Sequence, residues 1–438
     1  MDKQETTLSF VSLGCFKNIV DTEVLGGMLE NHNIKIVSTY EDSDWVVINT
    51  CGFIQEAKEE SIDEILRALE RKEKGEIKKV AVIGCLTQRY YQDLKKYFKN
   101  ADIIWGVNDF SQLARLIAAN KKQNYSDKGL FLYDENHERI IITTPNTTFI
   151  KISEGCDMTC SFCAIPQIRG PYRSRTTLSI VKEAEKYLAM GFQEVNIISQ
   201  NTTYFGKDKG QKSLLPRLLK DLSTLGFKWI RVLYLMPEEV DEDIVEAFSN
   251  PSILPYFDLP FQHLSPAILK RMKRGGGIQK NLELINTIRK EYPNGVIRST
   301  FIVGFPGETD REFRQLVQFT RDSAIERIGI FGFSPEENTP AFNLKNRVYS
   351  KVIEERKNTL MDISDQNIQI FNKRLLNTIQ EFIPLGPWEN NSTIGRIKSQ
   401  APEVDGFTQI KSPFDEDYKI KKVRITGFKN EFLYGEMI

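Results

Sequence analysis

Between residues 8 and 118 the chain alternates short apolar runs with longer amphipathic ones. LSFVSLG (8–14), WVVINT (45–50), KKVAVIG (78–84) and IIWG (103–106) have the length and composition of strands. Residues 18–31, 55–74, 87–99 and the run DFSQLARLIAA carry helical spacing between them and after the last. This alternation predicts an α/β unit, a doubly wound parallel sheet with helices on both faces. Residues 119–147 are polar and irregular, a connector with room for a small hairpin. From about 148 the alternation resumes, with strands at 149–155, 194–200, 229–235, 256–262, 295–305 and 327–334. Helical stretches at 178–190, 241–249, 265–274, 278–291 and 309–322 separate them. Six strands with intervening helices predict a partial βα barrel rather than a full set of eight. One long amphipathic helix follows at 350–377. Beyond it the pattern becomes short β-type runs broken by Gly, Pro, Asn and Asp, which predicts a small all-β barrel. The expected domains are 1–140, 141–375 and 376–438.

Composition narrows the class. With 40% hydrophobic and 27% charged residues this is an ordinary globular chain. The longest apolar runs are strand-sized, far short of the roughly 20 residues of a membrane helix, and MDKQETTLSF lacks the apolar core of a signal peptide. A cytoplasmic protein with no membrane partner is expected, and reduced thiols there favour metal ligation over disulfides. The 59 basic and 59 acidic residues cancel. That argues weakly against a nucleic-acid partner gripped through its phosphates, although a local patch can hide in a neutral total.

The cysteines change the picture most. There are six, and they fall into two groups of three. Cys156, Cys160 and Cys163 form C-x3-C-x2-C just after a predicted strand. Cys15, Cys51 and Cys85 are far apart in sequence, yet each ends a predicted strand beside a glycine. In a parallel sheet that is the end where ligands bind, so the three can converge without a local motif. Glycine lets backbone approach a bulky group closely. A thiolate triple binds three irons of a cubic iron–sulfur cluster and leaves the fourth open to a reactant. Zinc sites normally draw four ligands, and neither a fourth cysteine nor a histidine near the motif is available. Taken alone, the dispersed triple could also be small buried hydrophobes at strand ends.

C-x3-C-x2-C, with Phe162 before its last cysteine, resembles the radical S-adenosylmethionine pattern. The segments SLGCFKNIVDTE, NTCGFIQEAKEES, GCLTQRY, SEGCDMTCSFCAIPQIRGPYRSR, FQHLSPAILKRMKRGG and STFIVGFPGETDREF resemble the methylthiotransferases over almost the whole chain. The C-terminal barrel resembles that family's TRAM domain. The resemblance implies two 4Fe-4S clusters, one on Cys156, Cys160 and Cys163 and one on Cys15, Cys51 and Cys85. It also implies S-adenosylmethionine as cofactor, with Phe162 near its adenine and Gln200 and Asn201 on the cofactor face. The first cluster would cleave S-adenosylmethionine to a 5′-deoxyadenosyl radical, which takes hydrogen from the substrate. The second would present sulfur, and a second S-adenosylmethionine the methyl group. An electron donor is a required partner.

GCFKN at 14–18 and APEVDG at 401–406 are similar to the branch that methylthiolates an aspartate of small-subunit ribosomal protein twelve. Residues 376–438 hold eight basic and nine acidic side chains, which suits a basic protein partner better than RNA. The resemblance makes that protein the substrate, met through the TRAM domain and the barrel mouth. A tRNA adenosine methylthiotransferase, or a non-catalytic iron–sulfur module that docks on the ribosome, are the alternatives.

The chain departs from the family pattern twice: it has Gln200-Asn201-Thr202 where many relatives have Gln-Asp-Thr, and Phe16 where proline is frequent. GFPGE at 304–308 offers backbone N–H groups to a ligand or is simply a tight turn. Arg169, Arg173 and Arg175 could orient carboxylates of substrate or cofactor, or form structural salt bridges. Gly275-Gly276-Gly277 reads as a turn, and His263 as a barrel-end residue rather than an iron ligand.

Overall fold

The structure, a computed structural model, describes residues 6–41, 43–125 and 131–438. The N-terminal unit runs β1 (Thr6–Ser12), α1 (Phe16–Glu30), β2 (Ile34–Ile36), β3 (Trp45–Thr50), α2 (Gln55–Glu73), β4 (Lys79–Gly84), α3 (Cys85–Arg89), α4 (Tyr91–Tyr97), β5 (Ile103–Ile104) and α5 (Phe110–Ala118). Its five strands are all parallel, in the order β2-β1-β3-β4-β5. Every residue of β3 is buried because each face is covered. Trp45 and Val47 pack with Leu25 and Leu29 of α1 and Leu113 of α5. Val46 and Ile48 pack with Ile65 and Leu69 of α2 and Leu94 of α4. The sheet is thus doubly wound, as the pattern predicts.

Three details differ from expectation. Strand β2 has only three residues, too few to register as a pattern. The helix expected over 87–99 breaks at Tyr90, whose φ of −120° and ψ of 34° are not helical. The hairpin expected in 119–147 is not formed among the described residues, and 126–130 lie outside them. Instead Tyr125 bridges Trp105, and Ile140 and Ile142 donate their N–H groups to the backbone and side chain of Glu23 on α1.

The second unit comprises β6 (Thr147–Lys151), β7 (Ser153–Glu154), α6 (Ile165–Arg169), β8 (Arg173–Ser174), α7 (Thr177–Ala189), β9 (Glu194–Ile198), α8 (Leu215–Ser223), β10 (Trp229–Val232), α9 (Glu242–Glu246), β11 (Tyr256–Asp258), α10 (Pro266–Met272), α11 (Ile278–Glu291), β12 (Val296–Val303), α12 (Asp310–Asp322), β13 (Arg327–Gly332) and α13 (Ser350–Leu375). Two parallel sheets, β10-β9-β6 and β11-β12-β13, form its wall. They are joined by Leu254 N–H to Ile230 O at 2.8 Å and Leu235 N–H to Asp258 O at 3.0 Å. The six predicted strands are all present, arranged as a partial barrel. Side chains alternate along them with period two. Ile150, Ile197, Ile230 and Phe257 share one core with the helices. Phe149, Ile198, Trp229, Tyr256 and Val296 share another with Phe16, Val20 and Val24 of α1. The Phe16 and Phe149 rings stack with centroids 4.4 Å apart, which fixes α1 against edge strand β6.

A closed barrel, β14-β15-β16-β18-β17, ends the chain, built from β14 (Ile379–Trp388), β15 (Ser392–Ile397), β16 (Thr408–Ile410), β17 (Lys421–Lys429) and β18 (Phe432–Met437). It covers the strand N-termini of the larger barrel. Trp229 Nε1 donates to Glu381 at 3.2 Å, Arg231 reaches Lys398 O and Gln400 O at 3.1 and 3.2 Å, and Arg396 reaches Thr147 Oγ1 at 2.9 Å. Asp405 of APEVDG is buried there, accepting from Tyr256 and from Ala401 N–H. No helix among the described residues is long and apolar enough to cross a membrane.

Candidate iron–sulfur and cofactor site

Strands β1, β3 and β4 lie side by side, and each delivers one cysteine at its carboxyl end. Cys15 precedes α1 and takes the N–H groups of Asn18 and Ile19 on its carbonyl at 2.8 and 3.2 Å. Cys51 follows β3 directly and exchanges backbone hydrogen bonds with the Ser61 hydroxyl at 3.0 and 3.1 Å. Cys85 opens α3. Gly14, at φ +89°, makes the approach possible: a Cβ there would stand 2.7 Å from Cys51 Cβ and 2.9 Å from its sulfur. Asn18 ties the three loops together. Its Nδ2 donates to Leu13 O at 2.9 Å and Thr50 O at 3.1 Å, and its Oδ1 lies 3.5 Å from Cys85 Sγ.

The second triple sits beyond β6, at the carboxyl end of the barrel strands. The two-residue ladder of β7 with β8 pins both ends of its loop. Cys156 N–H donates to Gly170 O at 3.1 Å, and Ser161 anchors the loop to α10 through Met272 O and Arg271 O at 2.9 and 2.7 Å. Gly155, at φ +78°, lies against this return; a Cβ would come within 2.0 Å of Pro171 O.

Burial and mutual repulsion push these thiols up: Cys51 and Cys163 to about 12, Cys156 to about 11, with Cys85 and Cys160 also raised. A guanidinium opposes the rise in each set, Arg169 at Cys85 and Cys51 and Arg274 at Cys160 and Cys163. Three thiolates crowded in a buried place need a cationic group among them, which is what iron would be. No three His, Cys, Asp or Glu side chains among the described residues stand close enough to hold a single metal ion. A cubane does not ask for that, since each thiolate takes a different iron. Thiol-only donors, clearance at Gly14 and the two guanidinium partners fit such clusters.

A buried charge network joins the two sets. Arg169 ends α6, the helix that follows Cys163, and donates to Cys85 Sγ at 3.2 Å, Asn18 Oδ1 at 2.6 Å and Asp21 Oδ2 at 2.6 Å. Glu154 lies 3.3 Å from it and 2.6 Å from Lys151 Nζ, which also bonds Asp21. Lys151 and Arg169 hold the Glu154 carboxyl down to about 2 against the burial that would raise it. Of the other two arginines, Arg175 forms the salt bridge that one of the two readings expected, and Arg173 forms none among the described residues. Arg175 pairs with Glu183, and Arg173 donates only to backbone, at Pro171 O and Arg169 O.

The predicted cofactor-face residues differ in availability. Phe162 packs against Ile268, Leu269, Met272 and Phe305 beside the cysteine loop. Gln200 donates to Glu154 at 3.1 Å and leaves its buried Oε1 without a partner. Asn201 is already engaged, donating to Glu239 at 2.9 Å and accepting from Thr203. GFPGE is a tight turn: Gly304 N–H goes to Glu308 at 2.7 Å, Gly307 N–H to Asn346 O at 2.8 Å and Glu308 N–H to Phe305 O at 2.9 Å, which leaves none of the three for a ligand. Gly276 and Gly277, at φ +90° and +125°, turn the chain into α11. His263 is fully buried, its Nδ1 accepting from Ser265 N–H at 3.0 Å. Sequence reasoning did not single out Asn18, Asp21, Lys151, Glu154 or Arg274. The legible signal was a charge inside an apolar strand, as in FIKISEG.

The profile of the radical SAM superfamily matches residues 150–320, and that of Uncharacterized protein family UPF0004 matches residues 7–106. The chain is similar to solved radical S-adenosylmethionine methyltransferase TsrM from Kitasatospora setae, with a TM-score of 0.55 at 14% identity over 77% of this chain and 75% of that one. The radical SAM fold is thereby defined, and the superfamily whose profile matches implies a 4Fe-4S cluster and S-adenosylmethionine. Among curated proteins, the ribosomal protein uS12 methylthiotransferase RimO of Syntrophotalea carbinolica is 37% identical over 99% of this chain and 97% of its own length. That of Natranaerobius thermophilus is 39% identical over 98% of each. The chain belongs to the methylthiotransferase family of radical S-adenosylmethionine enzymes.

Proposed function

We propose that the enzyme methylthiolates the β-carbon of an aspartate in small-subunit ribosomal protein twelve, the substrate that the names of its curated relatives print. In this reading Cys156, Cys160 and Cys163 hold one 4Fe-4S cluster and Cys15, Cys51 and Cys85 the other. The domains are 1–140, 141–375 and 376–438. When bound, the clusters and two S-adenosylmethionine molecules supply one-electron cleavage, sulfur and a methyl group. The chain's own part is to hold these groups together and keep water out. The carrying observation is the Arg169–Cys85 contact, in which the helix after one thiol set supports the other. Phe162 offers an apolar ring and Gln200 Oε1 a free acceptor beside the cysteine loop. Asn201 acts only through Glu239 and Thr203.

The protein acts in the cytoplasm and takes its electrons from a separate donor. A substrate touching both the TRAM-like barrel and the cysteine face must run along the outside of the larger barrel, because the two lie at opposite strand ends. The deciding experiment is mass spectrometry after anaerobic incubation of reconstituted enzyme with S-adenosylmethionine, reductant and sulfide. The aspartate-bearing peptide and bulk tRNA are offered in parallel. A methylthio gain on the peptide aspartate is expected. A gain on tRNA adenosine would replace the substrate, and the absence of any S-adenosylmethionine cleavage would leave a non-catalytic module.

A further inference from the structure

The wall of the larger barrel has two outer strands, and they are finished differently. On β6 the outward backbone groups are taken: Phe149 O accepts from Arg139 Nη1 at 2.9 Å, and Lys151 N–H donates to Tyr133 Oη at 3.0 Å. On β13 they are not. Phe333 N–H pairs with Val303 O at 2.9 Å, and the register with β12 is unbroken. In a parallel ladder the bonding side alternates along the strand, so Gly329 and Phe331 spend their backbone groups on β12. Ile328, Ile330 and Gly332 turn theirs outward. Ile328 O accepts from Ser364 Oγ at 3.3 Å. The N–H and C=O groups of Ile330 and Gly332 have no partner among the described residues. Strands β6, β9, β10 and β11 are buried throughout, but in β13 only Arg327 is, and Phe331 is 43% exposed. An exposed edge with unpaired groups is a template for another strand.

The surroundings of this edge select the kind of strand. Ile328 and Ile330 pack towards the helices, so Gly329 and Phe331 face the inside of the barrel, beside Arg298 of β12. Arg298 gives Nη1 to Asp258 at 2.9 Å. Its Nε and Nη2 make no hydrogen bond among the described residues, and its side chain is 20% exposed. Gly329 leaves that side of the guanidinium uncovered: a Cβ there would stand only 3.8 Å from Nη2. The Nε–Nη2 side of a guanidinium is a fork that fits a carboxylate. The strand also has the right course. It begins at Arg327, 4.0 Å from Asp405 of the small barrel, and leads to Glu336, which takes Lys58 and Arg89 of the N-terminal unit. A segment laid along it runs from the small barrel to the cysteine face.

We propose that the protein substrate enters as an extended segment that pairs with the open edge of β13 and turns its target carboxylate to Arg298. This rests on the aspartate reading above and deepens it. Main-chain bonds to Ile330 and Gly332 would hold the segment whatever its sequence, and the side chain pointing inward past Gly329 would meet the guanidinium. An asparagine there offers the fork one acceptor and sets an amide donor against it.

The test uses the reconstituted full-length enzyme, the aspartate-bearing peptide, its twin with asparagine at the target position, and a set carrying one N-methyl group at each backbone nitrogen around the target in turn. Dissociation constants come from fluorescence anisotropy, with iron per chain and a thermal melt for every enzyme variant. On the unaltered enzyme, methylation should weaken binding about tenfold at two positions two residues apart and little at the position between them. Ile330→Pro, which removes an outward N–H and spares the ladder to β12, should weaken the unmethylated peptide about as much. The aspartate peptide should bind roughly 10-fold tighter than its twin. Arg298→Lys, which keeps the pair with Asp258 but not the fork, should bring that ratio close to one. Methylation that costs the same at every position, or nothing at any, would overturn the docking even if Ile330→Pro fails to fold. A ratio unchanged in Arg298→Lys would overturn the place of the carboxylate. If the unaltered enzyme methylthiolates tRNA or nothing, the aspartate reading itself fails. If it methylthiolates aspartate without the alternation, only this inference falls.

Discussion

Arg169 Nη2 donates to the sulfur of Cys85 at 3.2 Å, across 84 residues of sequence. The N-terminal thiol site is therefore finished by a residue of the barrel. Asp21 and Glu154 hold the guanidinium in place, and Asn18 Oδ1 stands beside it.

Removing that guanidinium should be severe. Arg169→Gln leaves Asp21 and Glu154 sharing only Lys151, and breaking a buried pair in this way costs roughly 3–5 kcal/mol. Iron analysis should show loss of the N-terminal cluster, and thermal melts a lowered transition. Arg169→Lys, which keeps the charge but not the fork, should retain part of both. Full iron and an unchanged melt in the glutamine variant would contradict the assignment.

The two thiol sets should separate genetically. Cys51→Ala is expected to lose about half of the iron, given two clusters of the same nuclearity, while still cleaving S-adenosylmethionine and forming no methylthio product. Cys160→Ala should abolish both activities. Chromatographic assay of cleaved S-adenosylmethionine beside mass spectrometry of the peptide reads the two outcomes separately.

Gly14→Ala tests the crowding directly. Its methyl group would sit 2.7 Å from Cys51 Cβ on a backbone at φ +89°, so either the loop or Cys51 must move. Iron at the N-terminal set should fall while the Cys156–Cys163 set stays loaded: iron analysis should show Gly14→Ala lowering iron in a Cys160→Ala background and leaving it unchanged in a Cys51→Ala background.

Glu194 predicts an acid-sensitive junction. Burial would raise its carboxyl, but Arg396 and Arg231 hold it below the ordinary 4.5. A group depressed in the folded state stabilises above its unfolded pKa, and that stabilisation fades as pH falls through the folded value. Glu194→Gln should thus be destabilised by roughly 3–5 kcal/mol near neutrality. Its melting temperature should converge with that of the unaltered protein as pH drops below about 4.5. Parallel melts of both proteins from pH 7 to pH 3 give the comparison.

Much of this was legible in the chain. Apolar runs such as WVVINT announced fully buried parallel strands, and the thiol spacing at Cys156, Cys160 and Cys163 announced a local site. The strand ends after β1, β3 and β4 were enough to gather Cys15, Cys51 and Cys85. What the pattern could not carry was pairing at a distance. Nothing local in Arg169 says that it meets Asp21, and nothing in GFPGE says that the N–H groups of Gly304, Gly307 and Glu308 are already taken. The split at Tyr90 also depends on distant partners. Its hydroxyl reaches Glu337, and Arg89 pairs with Glu336, both on the segment beyond β13.

The short helix α6 has a consequence of its own. Five residues separate Ala164 from Gly170, and at about 1.5 Å of rise per residue they act as a ruler between the two halves of the chemistry. One inserted residue would swing Arg169 by roughly 100° around the axis and away from Cys85. Length in this stretch should be as strictly kept as the cysteines themselves.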